Sequence, residues 1–417
     1  MTSISRVSWL AKKALLVTGR RTFSQVAGLN DVVIVSATRT PIGSFRSSLT
    51  SVAATRLGAI AIKDAVQKAG ILPEAVQEVY MGNVIQAACG QAPARQATLG
   101  AGLSINTPTT TVNKVCASGM KSIMMAAQSL MCGHQEVMVA GGMESMSNVP
   151  YYMKRGETPY GGVHLLDGIV FDGLTDVYNK CHMGNCAEET ARKFQISREA
   201  QDEYAIMSYK RSQESAANGV FDKEITPVGV PQRKGAEIQV TSDEEYKKVN
   251  FDKFKALRPA FQKEGGSVTA ANASTLNDGA AACVLMTAQA AEKLKVKPLA
   301  RIVGFADAAI APIDFPTAPA FAVPKVLEAT GIKKDDIALW ELNEAFSVVA
   351  LANVKLLDLD INKVNVHGGA VSIGHPIGMS GARITNHLVH QLQPGQYGMA
   401  SICNGGGGAA AILIQKL

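Results

Sequence analysis

One stretch of this chain is written twice. Gly70-Ile71-Leu72-Pro73-Glu74-Ala75-Val76-Gln77-Glu78-Val79-Tyr80-Met81-Gly82 returns, altered, as Gly331-Ile332-Lys333-Lys334-Asp335-Asp336-Ile337-Ala338-Leu339-Trp340-Glu341-Leu342-Asn343, 261 positions further on. Both read as helix stop, short turn and new strand. The echo continues downstream. Val112-Asn113 precedes Cys116, and Val364-Asn365 precedes His375. Each leads to a glycine-bearing helix start, Cys116-Ala117-Ser118-Gly119 or His375-Pro376-Ile377-Gly378, and then to an apolar strand over 137–142 or 399–403. Such a period is too long for a solenoid. It fits a duplicated α/β domain, with two similar sheets packed through a shared helical layer.

The rest of the chain is arranged around this repeat. A strand over 32–35 leads through Arg39-Thr40-Pro41 to a helix over 53–68. Residues 148–273 match neither half and are richer in charge and polar turns, so they read as an insertion domain. Asn277-Asp278-Gly279 signals a turn into the apolar strand 280–286, where the chain re-enters the first core. The expected division is 24–147 with 274–297, then 148–273, then 298–417.

Charge is concentrated at the start. Lys and Arg number 41 against 35 Asp and Glu, but Arg6, Lys12, Lys13, Arg20 and Arg21 all precede the first acid, Asp31. The near-neutral body gives no reason to invoke nucleic acid. Arg6, Lys13 and Arg20 share one helical face, with Ile4, Ala11 and Leu15 roughly opposite. Residues 1–23 therefore read as a mitochondrial presequence, with cleavage at Arg21-Thr22-Phe23-Ser24. The run Ala14-Leu15-Leu16-Val17 is too short for a secretory signal. No run reaches the roughly 18 apolar residues of a spanning helix. Seven cysteines, an odd number, do not suggest a disulfide framework. Cys181-His182-x3-Cys186 has metal-like spacing, but the partner pair of a zinc site is missing.

Four motifs carry chemistry. Cys116 lies between the β-prone Thr109-Thr110-Thr111-Val112 and a helix with apolar positions at Met120, Ile123, Met124, Ala127 and Met131. At a helix N-terminus the dipole and free N–H groups are expected to favour thiolate. A buried structural cysteine is the competing reading. The second motif, Gly368 to Arg383, crowds glycines around His375. A phosphate cradle is the alternative, but the Walker ending and dinucleotide spacing are both absent. The repeat sets His375 opposite Cys116, where it can act as base. Third, Cys403-Asn404-Gly405-Gly406-Gly407-Gly408 ends a strand; its thiol can act as acid or base and its amides can hold an oxyanion. Fourth, Asn343-Glu344-Ala345-Phe346 closes the repeated strand at a sheet edge, where sites gather. Taken singly, each is also a glycine turn or a helix cap.

Together, over residues 30–417, the motifs resemble the thiolase family. That resemblance implies a five-layer αβαβα duplicated core with an inserted loop domain. It implies reversible thiolytic cleavage and Claisen condensation, converting two acetyl-CoA to acetoacetyl-CoA and CoA by ping-pong kinetics. Cys116 becomes the acylated nucleophile, His375 its activator, and Cys403 the proton shuttle at the α-carbon. Asn343 holds a water that, with His375, stabilises the enolate, while the amides of Cys116 and Gly405 bind the other oxyanion. Coenzyme A contacts fall on Tyr209, Lys248, Val249, Asn250, Lys253 and Ser274. Relatives often carry Arg-x-Asp where this chain has Lys248-Val249-Asn250. His182-Met183 resembles the short-chain branch and bounds the acyl pocket. Phe315-Pro316 matches a position tolerant of a 2-methyl group. Tyr209, Ala270, Ala271, Ala273 and Val371 match a potassium site. A homo-oligomer, tetramer over dimer, a mitochondrial-matrix location, acyl-CoA partners and no redox cofactor also follow from the resemblance. A non-catalytic acyl-CoA carrier of this type is expected to lack one of Cys116, His375 and Cys403. A decarboxylating condensing enzyme usually resembles Cys-His-His or Cys-His-Asn, without the second thiol. Longer-chain 3-ketoacyl-CoA cleavage is the remaining alternative.

Overall fold

The computed structural model describes residues 28–157 and 159–417. The leader expected over 1–23, with its cleavage at Ser24, lies outside the described residues.

In chain order the first half contributes β1 (Val32–Arg39), α1 (Ala54–Ala69), β2 (Glu78–Gly82), α2 (Pro93–Gly100), β3 (Thr109–Val112), α3 (Ser118–Met131) and β4 (Val137–Ser145). A hairpin of β5 (Thr175–Asp176) and β6 (Cys181–His182) leads to α4 (Met183–Phe194) and α5 (Arg198–Ala217). The chain returns through β7 (Asn277–Thr287). The second half holds β8 (Ala300–Ala309), α6 (Pro319–Thr330), β9 (Ile337–Leu342), α7 (Ser347–Leu357), α8 (Ser380–Gln391), β10 (Tyr397–Asn404) and β11 (Gly408–Lys416).

Hydrogen bonding orders the strands β9-β10-β11-β8-β1-β7-β4-β2-β3. The first four belong to the second half and the rest to the first. They join across a narrow seam, where Val33 faces Arg301 and Ile34 faces Ala300. Alternation along β7 shows how the layers arise. Ala281, Cys283 and Leu285 face a central core shared with α3 and α8. Ala280, Ala282, Val284 and Met286 face the outer layer of α1 and α2. Both faces are covered, which is why this strand reads as one apolar run rather than an alternating one. On the far side, α6 covers Leu342, Met399, Ala411 and Leu413. Helices, sheet, helices, sheet, helices is the five-layer order expected.

The repeat is conformational as well as lexical. Gly70 and Gly331 each cap a helix in the left-handed region, at φ 69° and 71°. A side chain is strained there. Two details differ from the sequence reading. Asn277-Asp278-Gly279 is not a turn but the first, fully buried stretch of β7. Its polar side chains are absorbed by hydrogen bonds: Asp278 accepts from Ser145, Ser147 and the Ser147 amide, and Asn277 donates to the Gly43 carbonyl. Second, Gly119 is matched in space by Gly381, not by Gly378. A β-carbon on Gly119 would press on the Ala382 amide at 2.9 Å, and one on Gly381 on the Met120 amide at 2.6 Å. The two central helices cross glycine to glycine, and His375 precedes its helix by a longer loop than Cys116 does.

The same crossing admits no side chain at Gly142 of β4. A β-carbon on Gly142 would fall on the carbonyl oxygen of Gly378. Gly142→Ala is expected to destabilise the fold by about 3 kcal/mol, the upper range for overpacking. Denaturant unfolding measures it, and an unchanged midpoint would contradict this account of the core.

Candidate active site

Cys116 sits on a strained turn between β3 and α3. Val115, just before it, has φ 48°, a conformation that is an outlier for a β-branched residue. Side chains hold the turn in place. Asn113 Oδ1 accepts from the Val115 amide at 3.0 Å. Ser118 Oγ accepts from the Lys114 amide at 2.9 Å and donates to the Val115 carbonyl at 2.6 Å. Lys114 Nζ reaches Asn404 Oδ1 at 3.0 Å and the Ala409 carbonyl at 3.2 Å, tying the turn to the β10–β11 hairpin. That hairpin carries Cys403 and Gly405. The backbone N–H groups of Gly405 and of Cys116 itself lie near the Cys116 sulfur and favour its charged form.

The dipole and amides do not dominate, however. Burial pushes the Cys116 thiol up to about 12, against the pull of those amides, and the charge of Glu144 adds to the rise. The expected resting thiolate is therefore replaced by a neutral thiol. Burial also raises Cys403, helped by its proximity to Cys116. Burial lowers His375 to about 3, with the charge of Arg383 contributing. Thiol and imidazole both rest uncharged.

The tautomer of His375 follows from its neighbours. Ser380 Oγ donates its proton to the Pro376 carbonyl at 3.0 Å, so at 2.6 Å it accepts from His375 Nδ1–H. Nε2 keeps its lone pair and faces Asn343 Nδ2 at 3.5 Å. The Asn343 Oδ1 atom is buried with no partner among the described residues. The Asn277 carboxamide, from the first half, accepts the His375 amide at 2.9 Å.

Glu144 fixes the loop that bears His375. One of its oxygens accepts from Asn83 Nδ2 and the Ile85 amide, the other from the Val84 and Gly378 amides, at 2.9–3.3 Å. Burial raises this carboxyl to about 8, although three backbone N–H groups oppose the rise. Glu144, Lys114, Asn277 and Ser380 escaped the sequence reading. Their types are common in strands and loops, and no local spacing marked them.

Cys116 and His375 line a largely apolar cavity of about 550 Å³. His182, Met183, Lys248, Ala270, Ala273, Ser274 and Phe315 line it too. Cys403 packs beside Met183 and Phe315. The His182 ring stacks on Phe261 at 4.7 Å and caps α4 by accepting the Gly184 amide at 3.0 Å. A β-carbon on Gly184 would strike the Phe261 ring. The remaining residues proposed from sequence do not line this cavity. Val249 packs against the central core, Asn250 caps a short helical turn through the Asp252 amide, and Lys253 is exposed. Tyr209, Ala271 and Val371 gather in the central core cluster.

The lowered His375 makes a testable demand. As pH falls below its ordinary 6.5, the unfolded chain takes up this proton and the folded one does not until about 3. Stability is therefore lost on acidification. His375→Asn removes that penalty. Its unfolding midpoint relative to the parent is expected to rise between neutral pH and about pH 5; a pH-independent difference would contradict the neutral imidazole.

Comparison with known proteins agrees with the geometry. Residues 32–289 match the model of the thiolase N-terminal domain, and 296–416 that of the thiolase C-terminal domain. The mitochondrial acetyl-CoA acetyltransferase of Rattus norvegicus is 70% identical over 95% of this chain and 94% of its own. Its Homo sapiens counterpart is 66% identical over 95% and 93%. A thiolase of Ascaris suum solved with coenzyme A superposes with a TM-score of 0.90, at 48% identity, covering 93% of this chain and all (100%) of that one. Two matched domain models spanning nearly all of the described residues, and relatives this similar, establish that the chain belongs to the thiolase family.

Proposed function

We propose that the chain is an acetyl-CoA C-acetyltransferase of the mitochondrial matrix, interconverting two acetyl-CoA with acetoacetyl-CoA and CoA. One observation carries the reading: a thiol and an imidazole, Cys116 and His375, line one apolar cavity, and a second thiol, Cys403, and the Gly405 amide lie next to Cys116. In cleavage, His375 Nε2 takes the Cys116 proton as the sulfur attacks the 3-keto carbon. The amides of Cys116 and Gly405 hold the oxygen that becomes negative. The C2–C3 bond breaks, leaving acetyl-Cys116 and the enolate of acetyl-CoA. The imidazolium, with a water held by Asn343, stabilises that enolate; the orphaned Asn343 Oδ1 suits such a water. Cys403 then protonates the enolate carbon. Its thiolate deprotonates incoming CoA, which takes the acetyl group, and the His375 proton returns to Cys116.

Resting neutrality supports this sequence. A buried ion pair is costly, so charge is created only when the thioester has excluded water and the donors are in place. The insertion, 148–273, supplies most of the CoA side, with Lys248 at the cavity, Tyr209, Val249, Asn250 and Lys253 completing its set, and Ser274 joining from just beyond it. Phe315 borders the acyl end and admits a 2-methyl branch, which suits ketone-body and isoleucine breakdown. Neutral oxygens from Tyr209, Ala270, Ala271, Ala273 and Val371 suit a hard monovalent cation; potassium there would buttress the insertion against Val371, next to the His375 loop. Exposed Tyr151, Met153, Tyr160, Val163 and Leu165 favour a homotetramer.

The test is thiolysis of acetoacetyl-CoA, with 2-methylacetoacetyl-CoA in parallel and in potassium or sodium buffer. Both substrates should be cleaved, faster with potassium. Cys116→Ser should lose at least about 10³-fold in kcat and form no acyl-thioester detectable by mass. Cleavage of the unbranched substrate alone would discard the Phe315 assignment, and equal rates in both buffers the potassium site. Full activity in Cys116→Ser would end the mechanism.

A further inference from the structure

Outside the catalytic centre, one cluster of potential ligands is built into the β5–β6 hairpin and the first turn of α4. Register pairing sets Asp176 directly opposite Cys181. Cys186, fully buried, brings its sulfur to 3.9 Å from that of Cys181. One ligand atom from each of the three residues lies within 4.8 Å of the others. The sequence reading dismissed Cys181-His182-x3-Cys186 because it lacked a partner; the hairpin supplies one from five residues upstream.

We propose that Asp176, Cys181 and Cys186 form a binding site for a thiophilic divalent cation of the zinc type. Two observations favour it. Tetrahedral Zn–S bonds of about 2.3 Å put two sulfurs roughly 3.8 Å apart, close to the separation seen. Asp176 is only 2% exposed and already oriented. Its Oδ1 accepts from the Tyr178 and Asn179 amides at 2.9 and 3.3 Å, and its Oδ2 from Asn179 Nδ2 at 2.6 Å. That is the outer support a ligating carboxylate needs. Binding releases the two thiol protons to solvent, and a water or an external ligand completes the fourth position.

The position gives the site a role. Its ligands bracket His182 and Met183, the two residues by which this segment lines the acyl cavity. A bound cation would staple β6 to α4 and stiffen that wall.

Cobalt(II) titration of the full chain tests this, in a Cys116→Ser background that weakens the catalytic centre as a competitor. One equivalent should produce tetrahedral d–d bands and a thiolate-to-cobalt charge-transfer band. Adding Cys181→Ser or Cys186→Ala should abolish the charge-transfer band and weaken binding on the order of 100-fold or more; Asp176→Asn should weaken binding and alter the d–d bands. Cys181→Ser, at a partly exposed position, keeps the test sound if Cys186→Ala fails to fold. In the otherwise wild-type enzyme, Cys181→Ser should leave metal-free thiolysis within about twofold. No band, a band indifferent to these substitutions, or an intact mass showing that the two thiols have lost their hydrogens to a disulfide would each overturn the proposal.

Discussion

The carbonyl oxygen of Gly378 occupies the space that a side chain on Gly142 would need, and it sits 2.9 Å from where a β-carbon on Gly119 would lie. This backbone-to-backbone contact lets a loop from the second half enter the first half deeply enough to meet Cys116. Glu144 secures the contact by giving one oxygen jointly to the Gly378 and Val84 amides. Asn277 secures the next turn by accepting the His375 amide. The imidazole is thus carried by one half of the duplication and anchored by the other. Cys116, conversely, is tied to the second half through Lys114 and Asn404.

Such reciprocal anchoring explains how buried, uncharged groups can serve as a nucleophile and base. Burial, helped by the charges of Glu144 and Arg383, drives the Cys116 thiol up to about 12 and the imidazole down to about 3, which opposes proton transfer between them. The opposition is relieved only by fixed donors that act when charge develops. Those donors are the amides of Gly405 and Cys116 at the sulfur end, while the Ser380 hydroxyl, itself held by the Pro376 carbonyl, accepts from Nδ1 and fixes the ring with Nε2 towards Asn343.

The sequence disclosed what is local or repeated. The capping glycines Gly70 and Gly331, the strand-to-helix setting of Cys116 and the glycine-rich surroundings of His375 are short-range patterns with direct conformational meaning. It misled where a local signal competed with long-range bonding. Asn277-Asp278-Gly279 has turn chemistry, yet Ser145, Ser147 and Gly43 absorb its polar groups inside a strand. The helix dipole at Cys116 was legible, but the depth of burial that outweighs it was not. Glu144 was illegible because its four donors come from residues about 60 positions before it and more than 200 after it.

The duplicated core and the insertion divide the work unequally, and Met183 marks where the division ends. The groups proposed for catalysis come from core strands and loops: Cys116 after β3, His375 before α8, Cys403 at the end of β10. The cavity walls come largely from the insertion, where His182 stacks on Phe261 and Gly184 leaves room for that ring. Were these parts independent, the wall could be recast freely to suit another acyl chain. Met183 denies that freedom. It lines the cavity, packs with Cys403 and Phe315 in one cluster, and lies against the face of Gly405. A change in the wall at this residue reaches Cys403 and Gly405 together. The wall is therefore recast with less disturbance of Cys403 and Gly405 from His182, whose ring stacks on Phe261 within residues 148–273, than from Met183.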